Sequence, residues 1–153
     1  MRVLKYFIIF LVLNFSALAA GSWLMDSGAQ SIWYSNLNKA PWTPPGWAFG
    51  VAWTTIMICF SIYMAFLYKL ANGLKLRTLF FIQLVLNISW NFLFFNQHLI
   101  SLALIDIFLL TTVIGTFLFK YKTILGYTSL LILPYFIWLC IATSLNAYIL
   151  IYN

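Results

Sequence analysis

The chain has 153 residues, the size of one domain, and carries a formal net charge of +6 from eight Lys and Arg against two acids. Hydrophobic residues make up 65% of it and charged residues 7%, whereas a typical soluble domain is about 25% charged. This composition excludes an ordinary soluble enzyme, a disordered chain and a nucleic-acid-binding domain, and it indicates a protein whose main solvent is lipid.

Five apolar runs are long enough to be membrane-spanning helices, because a hydrocarbon core about 30 Å thick needs about 20 residues of helix. Strands are not expected, since the runs are too long and lack the alternation of a membrane barrel. The sequence predicts an all-α integral membrane protein, a five-transmembrane-helix bundle forming one domain over residues 1–153. The predicted spans are residues 3–25, 47–70, 78–95, 99–119 and 127–152, and the only sizeable loop is a lid loop at 26–43.

The connections between the predicted spans carry their own signals. Thr43 followed by Pro44 and Pro45 is typical of a helix cap with prolines in the first turn. Asn72-Gly73 is a turn signal between spans two and three. Residues 96–98 and 120–126 are expected to separate the later spans.

The basic residues indicate an orientation. Seven of the eight fall in the N-terminus, the second connection and the fourth connection, and only Lys39 falls in the first loop. The positive-inside rule therefore predicts a cytoplasmic N-terminus, with the first loop and the C-terminus outside. A second interpretation of the start is a signal peptide cleaved near residues 16–20, which would leave four helices with the same outer loop. The seven are Arg2, Lys5, Lys69, Lys75, Arg77, Lys120 and Lys122.

Span three carries three amides, Gln83, Asn87 and Asn91, at four-residue spacing on one helical face. In lipid a polar face turns toward other helices or toward a cavity. Two interpretations stay open, which are hydrogen bonding between helices and the wall of a ligand pocket.

Span five has a stripe at the same spacing, formed by Pro134, Trp138, Ala142 and Asn146. Pro134 is expected to deprive the Leu130 carbonyl of its helical donor and to kink the helix. The indole of Trp138 beside a small alanine suits a planar guest, and it equally suits close packing between helices.

Tryptophan is used at two depths. Trp53, Trp90 and Trp138 lie a turn or more inside their spans, whereas Trp near a span end is usually an interfacial anchor. The interpretation as interfacial anchors applies to Trp23, Trp33, Trp42 and Trp47.

Asp106 is the only acid within a predicted span and is a functional candidate for that reason, although a hydrogen bond across the bundle explains it equally well. The sequence shows no catalytic triad, metal-ligand cluster, phosphate-binding loop or glutamate. No metal site and no required cofactor are therefore expected.

Several stretches in order along the whole chain resemble the TspO/MBR family, the translocator proteins also called peripheral benzodiazepine receptors or tryptophan-rich sensory proteins. They are Trp33-Tyr34-x-x-Leu37-x-Lys39, Pro41-Trp42-Thr43-Pro44-Pro45, Trp53, Gln83-Leu84-x-Leu86-Asn87-x-x-Trp90, Phe94-Phe95, Ala103-Leu104-x-Asp106, and Pro134-Tyr135-x-x-Trp138-x-x-x-Ala142-Thr143-x-Leu145-Asn146.

The resemblance implies a five-helix bundle, often a homodimer, with a pocket beneath the first loop that binds porphyrins such as protoporphyrin IX. The main expectation is a receptor, sensor or transporter for a tetrapyrrole, with membrane lipid and no nucleic acid as further partners. The alternative is an enzyme that degrades porphyrin with light and oxygen, in which Trp53 and Trp138 would be catalytic. A second alternative is a sterol- or lipid-binding or regulatory partner protein. The implied ligand-binding residues are Tyr34, Pro44, Trp53, Asn87, Trp90, Phe94, Trp138 and Ala142, and the implied structural or polar residues are Gln83, Asp106, Pro134 and Asn146.

Two departures from the family pattern bear on these expectations. The first loop reads Lys39-Ala40-Pro41-Trp42 where the family usually has Lys-Pro-x-Trp. No basic residue follows Tyr148, so the animal cholesterol motif is incomplete, and we expect a protein of a bacterial cell membrane.

Overall fold

The computed structural model describes residues 2–153, and within this range the chain forms helices and no β-strand. Four continuous helical segments are long and apolar enough to cross a membrane, and the last, Ile100–Tyr152, is 53 residues long and contains two helices. The all-α class is therefore confirmed. The helices are α1 (Arg2–Leu24), α2 (Ile32–Asn36), α3 (Gly46–Leu70), α4 (Leu74–Asn91), α5 (Ile100–Leu125) and α6 (Leu133–Tyr152).

The five long helices close into a ring in which the order around the bundle differs from the order along the chain. Helix α1 packs against both α3 and α4, α5 lies between α4 and α6, and α6 returns to α3. Helices α5 and α6 are antiparallel, since Phe119 meets Phe136 near one end and the Asn146 side chain meets the Ile100 carbonyl at the other. The chain reverses between them at Gly126, whose φ of +55° is rarely adopted by residues other than glycine.

Aromatic rings fill the centre of the bundle. Phe60, Tyr63, Phe117 and Tyr135 are buried, and the Phe60 ring lies within 6.0 Å of each of the other three. The outer faces are apolar as well, with Phe81, Phe108 and Phe119 largely exposed, as expected of surfaces that face lipid rather than water. Apolar residues on all sides remove the amphipathic signal by which buried faces are usually recognised.

Buried polar contacts fix which helix faces meet. Asn14 of α1 donates to Ser61 of α3 at 2.9 Å, and the Tyr63 hydroxyl donates to the Phe117 carbonyl of α5 at 2.7 Å. Such bonds between helices have an average strength of about 0.6 kcal/mol in a membrane protein. Gly21 permits the close approach of α1 to α4, because an added Cβ would lie 2.7 Å from Asn91 Nδ2.

Two helices extend beyond the predicted spans by one to two helical turns. Helix α4 begins at Leu74 rather than at 78, and α5 continues to Leu125, so the predicted connection at 120–126 is reduced to the turn at Gly126. Hydropathy ends a span at the first charges, whereas lysines have good helix propensity and extend the helix beyond the apolar core.

The predicted roles of two proline sites also need correction. Pro134 lies in the first turn of α6, after the 3-10 segment Gly126–Ile132, so it does not kink a helix interior. The Leu130 carbonyl is not left without a donor, because it accepts the Leu133 N–H. Thr43 does not cap α3, since its hydroxyl donates to the Ala40 carbonyl and both prolines precede the helix.

The two ends of the bundle differ in charge. The start of α1, the α3–α4 connection and the end of α5 lie at one end, where the Tyr6 and Tyr68 rings meet at 5.0 Å. The first loop and the C-terminus lie at the other end, where Asn38 bonds both Tyr152 and Asn153. Seven of the eight basic residues therefore share what we call the cationic end, and Lys39 alone lies at the opposite, loop end.

Candidate functional site

The centre of the candidate site is a buried chain of three polar side chains, which we call the Tyr135 network (Gln83, Asn87 and Tyr135). Asn87 Nδ2 donates to the Tyr135 hydroxyl at 2.8 Å, and this hydroxyl donates to Gln83 Oε1 at 3.1 Å. All three residues are buried. The predicted inward face of this span is confirmed for Gln83 and Asn87, and the bonds to Tyr135 join α4 to α6.

Asn91, the third amide of the stripe, has a different role. It is only half-buried, and its Nδ2 donates to the Asn87 carbonyl of the preceding turn at 3.2 Å. The polar face of α4 therefore consists of two residues that reach across the bundle and one that bonds its own helix.

Two of the inner tryptophans flank the Tyr135 network. The Trp53 ring of α3 meets the Tyr135 ring edge to face at 5.9 Å, and the Trp138 ring of α6 meets Phe49 of α3 at 5.3 Å. Both indoles are half-buried at the interface between α3 and α6. Aromatic pairs in this geometry contribute about 0.5–1.5 kcal/mol beyond their buried area.

The third inner tryptophan connects the network to the loop end. Trp90 Nε1 donates to Asn146 Oδ1 at 3.1 Å, and Asn146 Nδ2 donates to the Ile100 carbonyl at 3.0 Å. The Trp90 ring stacks on Phe94, with centroids 5.2 Å apart. Asn146 thereby joins three helices, and Phe94 lies in a π-helical turn, Phe92–Asn96, that extends α4 toward the first loop.

The first loop covers this end of the bundle and is itself structured. Ser31 caps α2 by accepting the Tyr34 N–H, and the Tyr34 ring lies 5.4 Å from Phe95 and 6.3 Å from Phe94. Lys39 Nζ donates to the Tyr34 carbonyl at 2.9 Å and lies 4.8 Å from the Tyr34 ring centroid. Burial raises the pKa of the Tyr34 phenol, so this group is a neutral hydrogen-bonding group at physiological pH.

The remaining predicted residues are spread around this group. Asp106 Oδ1 accepts the Ser89 hydroxyl at 2.6 Å, which ties α5 to α4, as expected of a hydrogen bond across the bundle. Ala142 is buried on α6 one turn after Trp138, and Pro44 is half-buried in the segment before α3. The structure thus gathers Trp53, Asn87, Trp90, Phe94, Trp138 and Tyr34 into one half of the bundle, while Asp106 and Pro44 lie outside the hydrogen bonds of the Tyr135 network.

Tyr135 is the central residue that reasoning from the residues missed. It lies between Pro134 and Trp138, three residues before Trp138 and so on the same helical face. This spacing could have identified Tyr135 as a site residue. Ser89 was missed too, because a serine within an apolar run gives no indication of its partner. No group of three or more His, Cys, Asp and Glu is placed to hold a metal ion within residues 2–153.

Comparison with known proteins identifies the family. The sequence model of the TspO/MBR family matches residues 7–152. The chain belongs to the TspO/MBR family. Together with the four apolar helical segments, this membership makes it an integral membrane protein.

Relatives of this TspO/MBR protein come from archaea, bacteria and animals. It is 36% identical over 137 residues to the tryptophan-rich protein TspO of Archaeoglobus fulgidus, with 88% of each chain covered. It is 29% identical over 114 residues to the tryptophan-rich sensory protein of Cereibacter sphaeroides, covering 74% of this chain and 72% of the relative. It is 28% identical over 119 residues to the human translocator protein, covering 74% and 70%.

The Tyr135 network predicts a specific effect on stability. Replacing Tyr135 with Phe keeps the ring but leaves both amides without their shared partner, so we expect a loss of about 1–3 kcal/mol in the free energy of unfolding. Thermal unfolding in detergent measures the effect, with Tyr127→Phe as the control, because Tyr127 is 93% exposed. Equal melting temperatures for the two variants would show that the network contributes nothing.

Proposed function

We propose that the protein binds a tetrapyrrole such as protoporphyrin IX in the loop-end half of the bundle, between α3, α4 and α6, and acts as a receptor, sensor or transporter for it. The observation that supports this most is the contact of Trp53 with Tyr135 in the buried Tyr135 network, with Trp138 about one turn further along α6. Flat aromatic walls with a few convergent polar groups are the usual composition of a site for a large planar ligand.

The chemistry of each partner matches the ligand. A porphyrin has two apolar faces, which indoles contact favourably, and ring nitrogens that can exchange hydrogen bonds with an amide such as Asn87. Its propionate groups are anionic, and Lys39 is the one basic residue at the loop end. Binding with the propionates toward the first loop would therefore place charge in water and the macrocycle among the aromatic rings.

Entry of a guest requires the packed rings to separate. The first loop is held by a few side-chain hydrogen bonds, such as Trp42 Nε1 to Ser144 at 3.2 Å and Asn38 to the C-terminal residues. These contacts are exposed and hence weaker than the buried ones. We infer that residues 26–43 act as the lid, and that the Tyr135 network exchanges an internal hydrogen bond for one to the ligand. The names of the relatives, a sensory protein and a translocator, are consistent with a ligand that enters and leaves.

The binding proposal predicts a saturable absorbance change when protoporphyrin IX is titrated into the purified protein. The affinity of Trp138→Ala should be about tenfold lower, because an aromatic contact of about 1.4 kcal/mol is lost. Trp23→Ala is the matched control, since Trp23 is 82% exposed on α1. Porphyrin absorbance rather than protein fluorescence is followed, so that removing an indole does not alter the signal. Equal dissociation constants for the two variants would contradict this site.

Light-dependent degradation of the porphyrin is the second candidate function. The observation that favours it is the contact between Trp53 and Tyr135, two oxidisable rings at 5.9 Å. If Trp53 and Trp138 take part, illumination in air should bleach bound porphyrin several-fold faster with the native protein than with the Trp53→Phe/Trp138→Phe variant. The comparison is made at equal porphyrin occupancy in the dark. The same bleaching rate for both proteins would exclude a catalytic role for the two indoles.

We further propose that the chain crosses the membrane five times, with the cationic end in the cytoplasm. The 53-residue segment Ile100–Tyr152 supports two crossings, because α5 and α6 are antiparallel and reverse at Gly126. The charge difference between the ends supports the orientation.

A membrane-impermeant maleimide applied to intact cells tests the topology. Lys39→Cys should be labelled without permeabilisation, and Lys122→Cys only after it, because the two positions lie at opposite ends of the bundle. The unsubstituted protein gives the background from Cys59 and Cys140. Labelling of Lys122→Cys in intact cells would reverse the orientation.

A further inference from the structure

A cleft of about 340 Å³ opens between α1, α3 and α4 toward the cationic end, and it shares no residue with the Tyr135 network. Its rim carries Lys5 of α1 and Arg77 of α4, both exposed. Its walls are apolar and aromatic, and the buried rings of Phe10 and Phe80 meet at 4.9 Å in its wall. The cleft is therefore amphipathic, with positive charge at one end and hydrocarbon within.

The two rim cations have no counter-charge from the protein. The chain has two acids, and neither is near, because Asp26 follows α1 at the loop end and Asp106 lies near the loop end of α5. Within residues 2–153 neither Lys5 nor Arg77 forms a side-chain hydrogen bond or an ion pair. Any counter-charge for them must therefore come from outside the chain.

Two tyrosines also line the cleft. Tyr6 and Tyr68 line it with their rings 5.0 Å apart, and both are half-buried. Their phenol groups make no hydrogen bond to other residues of the described chain. Two cations and two hydroxyl donors around one opening are well suited to phosphate oxygens, which accept several hydrogen bonds at once.

The apolar part of the cleft runs along the helix axis. Lys5, Ile9 and Leu13 follow one another at four-residue spacing on one face of α1, and all three line the cleft. Eight residues of helix span about 12 Å, so the cleft extends from the charged end toward the middle of the bilayer. A lipid has this polarity, with its phosphate at the surface and its chains pointing inward.

We propose that this cleft is a binding site for one anionic phospholipid of the adjoining leaflet. Its phosphate contacts Lys5 and Arg77, the Tyr6 and Tyr68 hydroxyls donate to it, and one acyl chain lies along Ile9 and Leu13 over Phe10 and Phe80. The lipid joins α1 to α3 and α4 at the end opposite the tetrapyrrole site. The proposal is independent of the proposed function, since the two sites share no residue.

Charge and shape together favour a lipid over other occupants. A free anion would leave the apolar wall of the cleft uncovered. A second copy of the chain would bring further basic residues to an end that already holds seven. Anionic lipid supplies both the missing charge and the missing hydrocarbon. Basic residues near an anionic bilayer surface each contribute about 1 kcal/mol, which is a factor of about five in affinity.

Native mass spectrometry of the full chain, released from nanodiscs of phosphatidylcholine with phosphatidylglycerol, tests the proposal. The native protein should retain one phosphatidylglycerol in preference to phosphatidylcholine. Lys5→Gln/Arg77→Gln should retain it about twenty-five-fold less strongly, because two such factors are lost. Lys75→Gln/Lys122→Gln is the matched control, with the same change in charge at the same end but outside the cleft.

A second measurement guards against misfolding and against other anions. Each variant is accepted only if its thermal unfolding in phosphatidylcholine stays cooperative. Added phosphatidylglycerol should then raise the melting temperature of the native protein and of the control, but not that of Lys5→Gln/Arg77→Gln. Equal lipid retention by the two double variants would overturn the site. Displacement of the lipid by inorganic phosphate, or a dimer that depends on Lys5 and Arg77, would replace it with a simple anion site or a protein interface.

Discussion

The candidate site depends on one constraint, which is that the Tyr135 hydroxyl forms hydrogen bonds with two amides in the buried interior of the bundle. In lipid no solvent competes for a buried polar group, so each amide on α4 must find its partner within the bundle. Gln83 and Asn87 both find the same atom on α6. That choice fixes the rotation of two helices about their axes, and with it the directions in which Trp90 and Trp138 point.

The aromatic residues explain how such a bundle specifies one arrangement. Lipid chains are as apolar as leucine, so hydrophobicity alone does not decide which faces meet. Rings have edges and faces, and Phe60 stacks on Tyr63 and meets Phe117 and Tyr135 edge to face, an arrangement that a slipped register would lose. The high aromatic content, 20% of the chain, thus contributes to packing in both buried clusters of the bundle.

The same bundle presents different chemistry at its two ends. The loop end has one lysine, Lys39, which is held by its contacts with Tyr34. The adjoining half of the bundle is rich in indoles and amides. The cationic end has seven basic residues and no acid, above a half that is almost purely hydrocarbon and phenol. The two binding sites that we propose, one at each end, rely on these differences and share no residue.

The sequence by itself determined the class, the number of apolar runs, the grouping of charges and the inward face of α4, because length, hydropathy and four-residue spacing are local properties. It also identified Trp53, Trp138 and Trp90 as interior residues. Only the tertiary structure decided that Ser89 bonds Asp106, that Asn146 joins three helices and that Tyr135 is the centre of the network. Those partners lie 17 to 56 residues apart in the chain, and no local pattern encodes a distance between helices. The start of α4 at Leu74, the end of α5 at Leu125 and the start of α6 at Leu133 likewise depended on propensity and packing rather than on hydropathy.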